Sequence, residues 1–345
     1  MSNKAVNRRV VLAERPRYII PTANVFRMTE ATMPEARDGQ VLIRTTWLGL
    51  DSYLYSRLQR DSQFAAPVAI GDVMVGATVG RIAVSNHPDY KVGDIVHGFW
   101  GWQDYTVSDG SDISKVDPEI PRPSYMLGAL GISGLGAYAV VNNLVKTQSG
   151  ETLTIGSATG GIGQMVGQLG KLKGARVLAG ASGMEKCRHA IEQWGFDVCI
   201  DRTAKNFLDN AKAEYAKAGV DCYVMLAGGR VLDMALPYFR PNARIAVCGM
   251  MATYGLSTLP PGGDRTVLLM TEIMRRRLQI RGLVSTDYLG TPLEAQFRKD
   301  MKEYILSGKV KPLEHIVNGL ENAPEMMQGL FEGKNFGKAV VRVAD

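Results

Sequence analysis

Thr154-Ile155-Gly156-Ser157-Ala158-Thr159-Gly160-Gly161-Ile162-Gly163 is the stretch that decides how this chain folds. An apolar strand, Thr152 to Ile155, runs into a turn of small residues, and a helical pattern from Ile162 to Lys173 follows. Ala158, Gly160 and Gly163 carry the spacing Ala-x-Gly-x-x-Gly. Small residues at those points allow a tight turn, close backbone approach to a pyrophosphate and close helix–strand packing, with the helix N-terminus facing the phosphates. A glycine pattern alone is only a flexible turn. The strand before it, the helix after it and a second strand from Arg176 to Ala179 make it a dinucleotide site. Ala158, Thr159, Gly160, Gly161, Ile162 and Gly163 are its candidate residues.

The end of the second strand bears on the type of dinucleotide. An acidic residue there binds the ribose hydroxyls of NAD. This chain has Gly180-Ala181-Ser182-Gly183, with no carboxylate to repel a 2′-phosphate, and Lys186, Arg188 and Arg202 follow. The expected cofactor is NADP(H), with Ser182 and Lys186 as phosphate ligands. The ordinary alternative, a solvated helix face, holds for Arg188 more than for Lys186.

The same texture continues outward. Met184 to Trp194 reads as a helix, and Asp197 to Ile200, Cys222 to Leu226 and Arg244 to Cys248 read as further strands. Strands alternating with helices predict a doubly wound parallel sheet with right-handed crossovers. Before it, the first 130 residues read as short strands broken by Gly, Pro and Asp turns, among them Val41 to Leu48, Val73 to Val84 and Asp94 to Phe99. That pattern suggests a partly closed barrel or a sandwich. The last forty residues hold one clear strand, Ala339 to Val343, and are expected to return to the first domain.

Bulk properties narrow the class. At 345 residues two domains are expected rather than one. No apolar run approaches the ~20 residues of a membrane span, and no apolar signal segment follows the polar start, so the expectation is a cytoplasmic protein. The net charge of +6 comes from 40 basic and 34 acidic residues interleaved along the chain, and Arg275-Arg276-Arg277 is the only compact run. That distribution argues against a nucleic-acid partner. Cys187, Cys199, Cys222 and Cys248 all lie in the second half without Cys-x-x-Cys spacing, and the four histidines are scattered. No metal site is legible.

Several motifs, taken in order, resemble one family. They are Leu50-Asp51-Ser52-Tyr53, Ser85-Asn86-His87-Pro88-Asp89-Tyr90, Gly101-Trp102-Gln103-Asp104-Tyr105 and Met184-Glu185-Lys186-Cys187-Arg188. Cys248-Gly249-Met250, Leu320-Glu321-Asn322-Ala323-Pro324 and Gly333-Lys334-Asn335-Phe336-Gly337-Lys338 complete the set. From Asn7 to Val343 the chain is similar to the zinc-independent medium-chain dehydrogenase/reductases, in their prostaglandin reductase and plant double-bond reductase group, above all the bacterial curcumin reductase branch. The resemblance implies a GroES-like β-rich barrel domain (residues 1–132 and 306–345), a Rossmann domain (133–305) and a homodimer. It implies that Lys186 holds the adenosine 2′-phosphate, that Cys248, Gly249 and Asn335 lie at the cofactor, that Tyr254 sits over the nicotinamide and the substrate carbonyl, and that Tyr53 lines the substrate pocket. Three positions depart from the family pattern: Leu226 replaces an asparagine near the nicotinamide, Arg202 replaces a tyrosine, and Asp51-Ser52-Tyr53 replaces Asp-Pro-Tyr.

The activity so implied is reduction of the carbon–carbon double bond of an enal or enone. Negative charge developing on the carbonyl oxygen needs a preorganised donor. Tyr254 is the first candidate and Tyr53 the second; either could instead be a pocket wall with its hydroxyl on the backbone. Met250, Met251 and Trp100 could line an apolar pocket, with core packing as their ordinary role. Zinc alcohol dehydrogenase chemistry is excluded by an N-terminal half that lacks cysteine. Two alternatives stay open: a quinone oxidoreductase, and an NADPH-binding regulatory protein with little turnover, which Leu226 favours.

Overall fold

The computed structural model describes residues 6–17, 20–60, 65–228, 230–251, 254 and 265–345. The chain divides into two units, Met1–Gly128 with Glu314–Asp345, and Ala129–Leu313. In the first, β1 (Val6–Leu12) and β2 (Phe26–Thr32) form an antiparallel hairpin. Then come β3 (Val41–Gly49), β4 (Thr78–Ser85), β5 (Ile95–Gly98), β6 (Tyr105–Ser108) and β7 (Ile113–Lys115). Val41, Ile43 and Thr45 alternate inward along β3, and with Ile82, Val96 and Ile113 they make a small core. Trp100 packs against it and donates from Nε1 to Thr45 Oγ1 at 2.9 Å, so its role is core packing. The strand expected over Val73 to Val84 starts only at Thr78. Val73 makes a single bridge to Val11, and Gly76 lies tight against Trp102 and Leu48.

The second unit carries the alternating pattern. Its strands are β8 (Thr152–Ile155), β9 (Arg176–Ala181), β10 (Val198–Asp201), β11 (Val220–Met225), β12 (Phe239–Val247) and β13 (Gln279–Gly282). All pair in parallel, in the order β10-β9-β8-β11-β12-β13. Numbered within the unit this is 3-2-1-4-5-6, the doubly wound Rossmann order, whose direction reverses between β8 and β11. Strand β8 is buried at all four positions, as a central parallel strand requires. Helix α1 of the chain is the short Tyr55–Leu58 turn, and α2 (Ile132–Ala139) precedes β8. Helix α3 (Gly161–Leu172) lies on the sheet so closely that a Cβ on Gly170 would overlap Leu153 of β8. Its buried glutamines hold the departing chain. Gln164 Nε2 donates to the Leu313 carbonyl at 3.0 Å, and Gln168 Oε1 accepts from Lys311 N at 2.7 Å.

After Leu313 the chain returns to the first unit as β14 (Glu314–Asn318) and β15 (Lys338–Arg342). The first-unit sheet then runs β14-β15-β3-β4-β5-β7, with β6 also against β3. Among the described residues no helix is long and apolar enough to cross a membrane.

Candidate active site

The glycine turn joins β8 to α3 at the end of the sheet where the strand order reverses. Ala158 and Thr159 are buried, and Ala158 N donates to the Gly180 carbonyl at 2.8 Å, which ties the turn to the end of β9. Gly160 is the N-cap of α3 in extended conformation. A Cβ on Gly163 would overlap the Ser157 carbonyl oxygen, so the first helical turn closes on the loop only because that side chain is absent. Among the described residues no side chain caps this N-terminus. Its first amides lack intrahelical partners and share the positive end of the helix dipole, which suits an anion.

A second charged feature lies beside it, where β9 enters α4 (Met184–Trp194) and β10 leads toward α5 (Phe207–Ala218). Arg202 Nη2 donates to Ser182 Oγ at 3.0 Å, and Arg202 N to the Ala181 carbonyl at 2.7 Å. Burial and then Arg202 itself push the Lys186 ammonium below its ordinary range, and burial also lowers Arg202. Two cations therefore face one another, which a bound anion would relieve. Arg202 Nε is buried and has no hydrogen-bond partner among the described residues. The nearby carboxylate, Asp201, is engaged by the backbone: its Oδ1 accepts from Gly183 N and Thr203 N, each at 2.8 Å. Burial works against the ionised form of Asp201, but these bonds and the Thr203 hydroxyl hold it below the usual carboxylate range. Arg188 is exposed on α4, as a solvated face requires.

Arg202 also lines a water-sized, mostly apolar cavity together with Ile155, Gly156, Ile200, Phe207 and Tyr215. Sequence reading missed those residues. Phe207 and Tyr215 lie on a helix whose apolar face reads as core, and nothing local marks them as cavity lining.

Past the reversal point, β11 ends at Met225 and β12 at Val247. Cys248 N donates to the Met225 carbonyl at 2.8 Å. A Cβ on Gly249 would stand 2.6 Å from the Leu226 carbonyl oxygen and 3.7 Å from the Tyr254 hydroxyl. Leu226 Cδ1 in turn lies 3.2 Å from where a Gly163 Cβ would be. Tyr254, Gly249, Leu226 and the start of α3 thus converge at the carboxyl ends of the central strands, where open α/β sheets bind their ligands. Met250 is 37% exposed above Gly228, so it is not a core residue. Burial pushes the Cys248 thiol up to about 12, leaving it an uncharged wall.

Tyr53 and Asn335 belong to the first unit. Tyr53 lies in a 3-10 turn (Ser52–Leu54) after β3, with Asp51 as its N-cap. The buried Lys338 ammonium donates to the Leu50 carbonyl at 3.0 Å and pairs with the Asp51 carboxylate, which fixes that turn. Tyr53 is 40% exposed, yet partial desolvation by its neighbours and then the Asp51 charge raise its phenol above the ordinary range, so it stays protonated at neutral pH. Asn335 Nδ2 donates to the Gly337 carbonyl at 2.8 Å in the turn before β15.

Family models match both units, as "N-terminal domain of oxidoreductase" over residues 8–116 and "Zinc-binding dehydrogenase" over 161–304. Among the described residues no group of three or more His, Cys, Asp or Glu could hold a metal ion. The chain is 44% identical to the NADPH-dependent curcumin reductase of Escherichia coli (strain K12), over 99% of this chain and 98% of that one. It is 32% identical to the 2-alkenal reductase (NADP(+)-dependent) of Nicotiana tabacum, covering 90% and 89%. The crystal structure of CurA in complex with NADPH from Vibrio vulnificus superposes with a TM-score of 0.93 at 40% identity, covering 98% and 99%.

Proposed function

The chain belongs to the zinc-independent medium-chain dehydrogenase/reductases, in their prostaglandin reductase and double-bond reductase group, and on that premise we propose that it reduces the carbon–carbon double bond of α,β-unsaturated aldehydes and ketones. It is an NADP(H)-dependent oxidoreductase acting on CH–CH groups. The residues present fit that cofactor. Among the described residues only Ser157 Oγ, at 3.8 Å, lies within 4 Å of where a Gly160 Cβ would be, which leaves room at the N-terminus of α3 for a pyrophosphate. Ser182, Lys186 and Arg202 offer a hydroxyl, an ammonium and a guanidinium to a 2′-phosphate, with Arg202 Nε still to be satisfied.

The observation that carries the substrate reading is the Tyr254 hydroxyl beside Gly249 at the ends of the central strands. The cofactor, when bound, would supply a hydride to the β-carbon. Tyr254 donates a hydrogen bond to the carbonyl oxygen, where negative charge gathers as the enolate forms. Leu226 and Cys248 keep the surroundings apolar, so that bond is worth more than one made in water. Solvent then protonates the α-carbon. Tyr53, held protonated, is the second donor. Leu226 also supports a second reading, an NADPH-binding protein without turnover, because an apolar side chain there offers the carboxamide of a nicotinamide no hydrogen bond.

A homodimer completes the proposal. Strand β13 is an edge strand exposed at all four residues, and the helix α7 (Thr266–Arg276) leaves Val267, Leu268 and Met274 largely exposed. Unpaired edges and apolar patches of this kind are normally covered.

NADPH oxidation measured against enals, enones and nitroalkenes tests the reaction. Turnover with enals and enones is expected, and Tyr254→Phe should lower kcat by roughly 10- to 1000-fold, the loss of one oxyanion donor, with little change in NADPH affinity. Normal turnover in Tyr254→Phe with loss in Tyr53→Phe would move the donor role to Tyr53. NADPH binding without oxidation in the presence of any alkene would sink the reductase and leave the binding protein.

A further inference from the structure

Lys338 opens β15 with only 4% of its surface exposed, an uncommon place for a lysine unless it is paired. Its stem lies against Gly128, where an added Cβ would stand 3.0 Å from Lys338 Cγ. Its ammonium donates to the Leu50 carbonyl at 3.0 Å and pairs with the Asp51 carboxylate, both just past the end of β3. A second carboxylate is its register partner, Glu314 on β14. Glu314, however, is turned to Ser124, whose Oγ donates to it at 2.9 Å, with Arg122 Nη1 at 3.9 Å. The ammonium is therefore aimed at Asp51.

Asp51 is where the chain leaves the sheet. Leu50 N still donates to the Ala339 carbonyl at 3.0 Å, and after Asp51 the chain turns through Ser52–Leu54. The far end of that turn is anchored by burial, since Leu54, Tyr55 and Leu58 all lie in the core. Tyr53 stands between the two anchors, half-exposed. A buried ion pair adds little net stability over apolar side chains of similar size, but unlike them it has a direction. Here that direction sets the entry to the Tyr53 turn.

We propose that Lys338 is a positioning residue for the substrate: through Asp51 it holds Tyr53 where the enal or enone packs. This rests on the reading of Tyr53 as a pocket residue. The effect should fall on substrate rather than cofactor. The candidate phosphate contacts belong to the second unit. Asn335, the first-unit candidate for the cofactor, has a turn of its own, held by Asn335 Nδ2 to the Gly337 carbonyl at 2.8 Å and by Phe336 N to His315 Nδ1 at 3.0 Å. Neither bond uses the Lys338 side chain. Ser52 gives an independent handle on the same turn. It is the first residue of the turn, and Asp51 before it is extended (φ −131°, ψ 143°), the conformation a residue takes before proline. A proline at position 52 would preset the turn that the ion pair holds.

The test measures KM and kcat for an enone, and NADPH affinity by titration, in Tyr53→Ala, in Lys338→Met with Asp51→Asn, and in all three substitutions together. The paired substitution leaves no buried charge unpartnered, so the fold is kept. Enone KM should rise about 10-fold or more in the paired variant, the worth of part of one aromatic contact, with NADPH affinity unmoved. Tyr53→Ala should raise KM similarly, and the combination should add little, because both remove one interaction. Adding Ser52→Pro to the paired variant should restore most of the lost KM, which a general loss of stability would not allow. An unchanged KM in the paired variant beside a raised one in Tyr53→Ala would overturn the proposal. Additive effects, a parallel loss of NADPH affinity, or no recovery with Ser52→Pro would do the same. An unchanged KM in Tyr53→Ala would instead strike the reading of Tyr53 as a pocket residue.

Discussion

The carboxyl edge of the six-stranded sheet carries two adjoining features, each proposed above as an anion site, that would reach the same end by different means. At the β8–α3 turn the proposed donors are the backbone amides that open α3, and the turn closes on Ser157 only because Gly163 has no side chain. At the β9–α4 and β10–α5 turns the donors are side chains, Ser182, Lys186 and Arg202, gathered from three places in the chain. A backbone site is intolerant of any added atom, but it does not discriminate between one dinucleotide and another. A side-chain site is tolerant and selective, since each residue adds a separable charge. The first should therefore govern whether a dinucleotide binds at all, and the second which one.

Gly163→Ala tests the first half most severely. Its methyl group would overlap the Ser157 carbonyl, and the collision is with backbone, which cannot swing away. Overpacking of this kind costs about 1–3 kcal/mol or more. Calorimetry should record a lower Tm, and titration a loss of NADPH and NADH binding alike. If only one cofactor were lost, the division of labour between the two sites would be wrong.

Lys186→Ala tests the second half. Removing one charge-assisted contact should cost about 1.5–3 kcal/mol, so the KM for NADPH should rise by one to two orders of magnitude while NADH kinetics barely move. Equal effects on both cofactors would return Lys186 to the solvated face that Arg188 occupies.

The two sites also differ in how far sequence reveals them. The β8–α3 turn is local: ten consecutive residues state the strand, the turn and the helix, and the spacing alone requires small side chains. Gly180-Ala181-Ser182 was informative through what it lacks, a carboxylate. The role of Arg202 in bridging to Ser182 depends on strands β9 and β10 lying side by side, a pairing no local pattern encodes. The same holds for Phe207 and Tyr215 beside Arg202, and for Gln164 and Gln168 gripping Leu313 and Lys311. Each joins residues that become neighbours only once the sheet order is set. β13 escaped notice for another reason: it is an edge strand exposed at every position, so no alternation of buried and exposed residues marks it.

The smallest expected effect is the most diagnostic, because it has opposite signs in stability and in binding. Burial, then the Arg202 charge, hold Lys186 below the ordinary lysine range in the free protein, while in the unfolded chain both influences vanish. Between the lowered folded value and the ordinary one near 10.4, the unfolded state binds more protons than the folded state. Stability of the free protein should therefore rise as pH increases through that window, since a strained cation is being discharged. Binding of NADPH should do the reverse. A 2′-phosphate favours the charged lysine, so affinity should fall as the pH passes the lowered value, earlier than for an ordinary exposed lysine. NADH, without that phosphate, should show no such fall. Denaturant melts of the free protein and NADPH titrations over the same alkaline range read both slopes, and Lys186→Met should flatten both. Parallel slopes, or a fall shared by NADH, would mean that Lys186 faces solvent and that the patch is held by Arg202 and Ser182 alone.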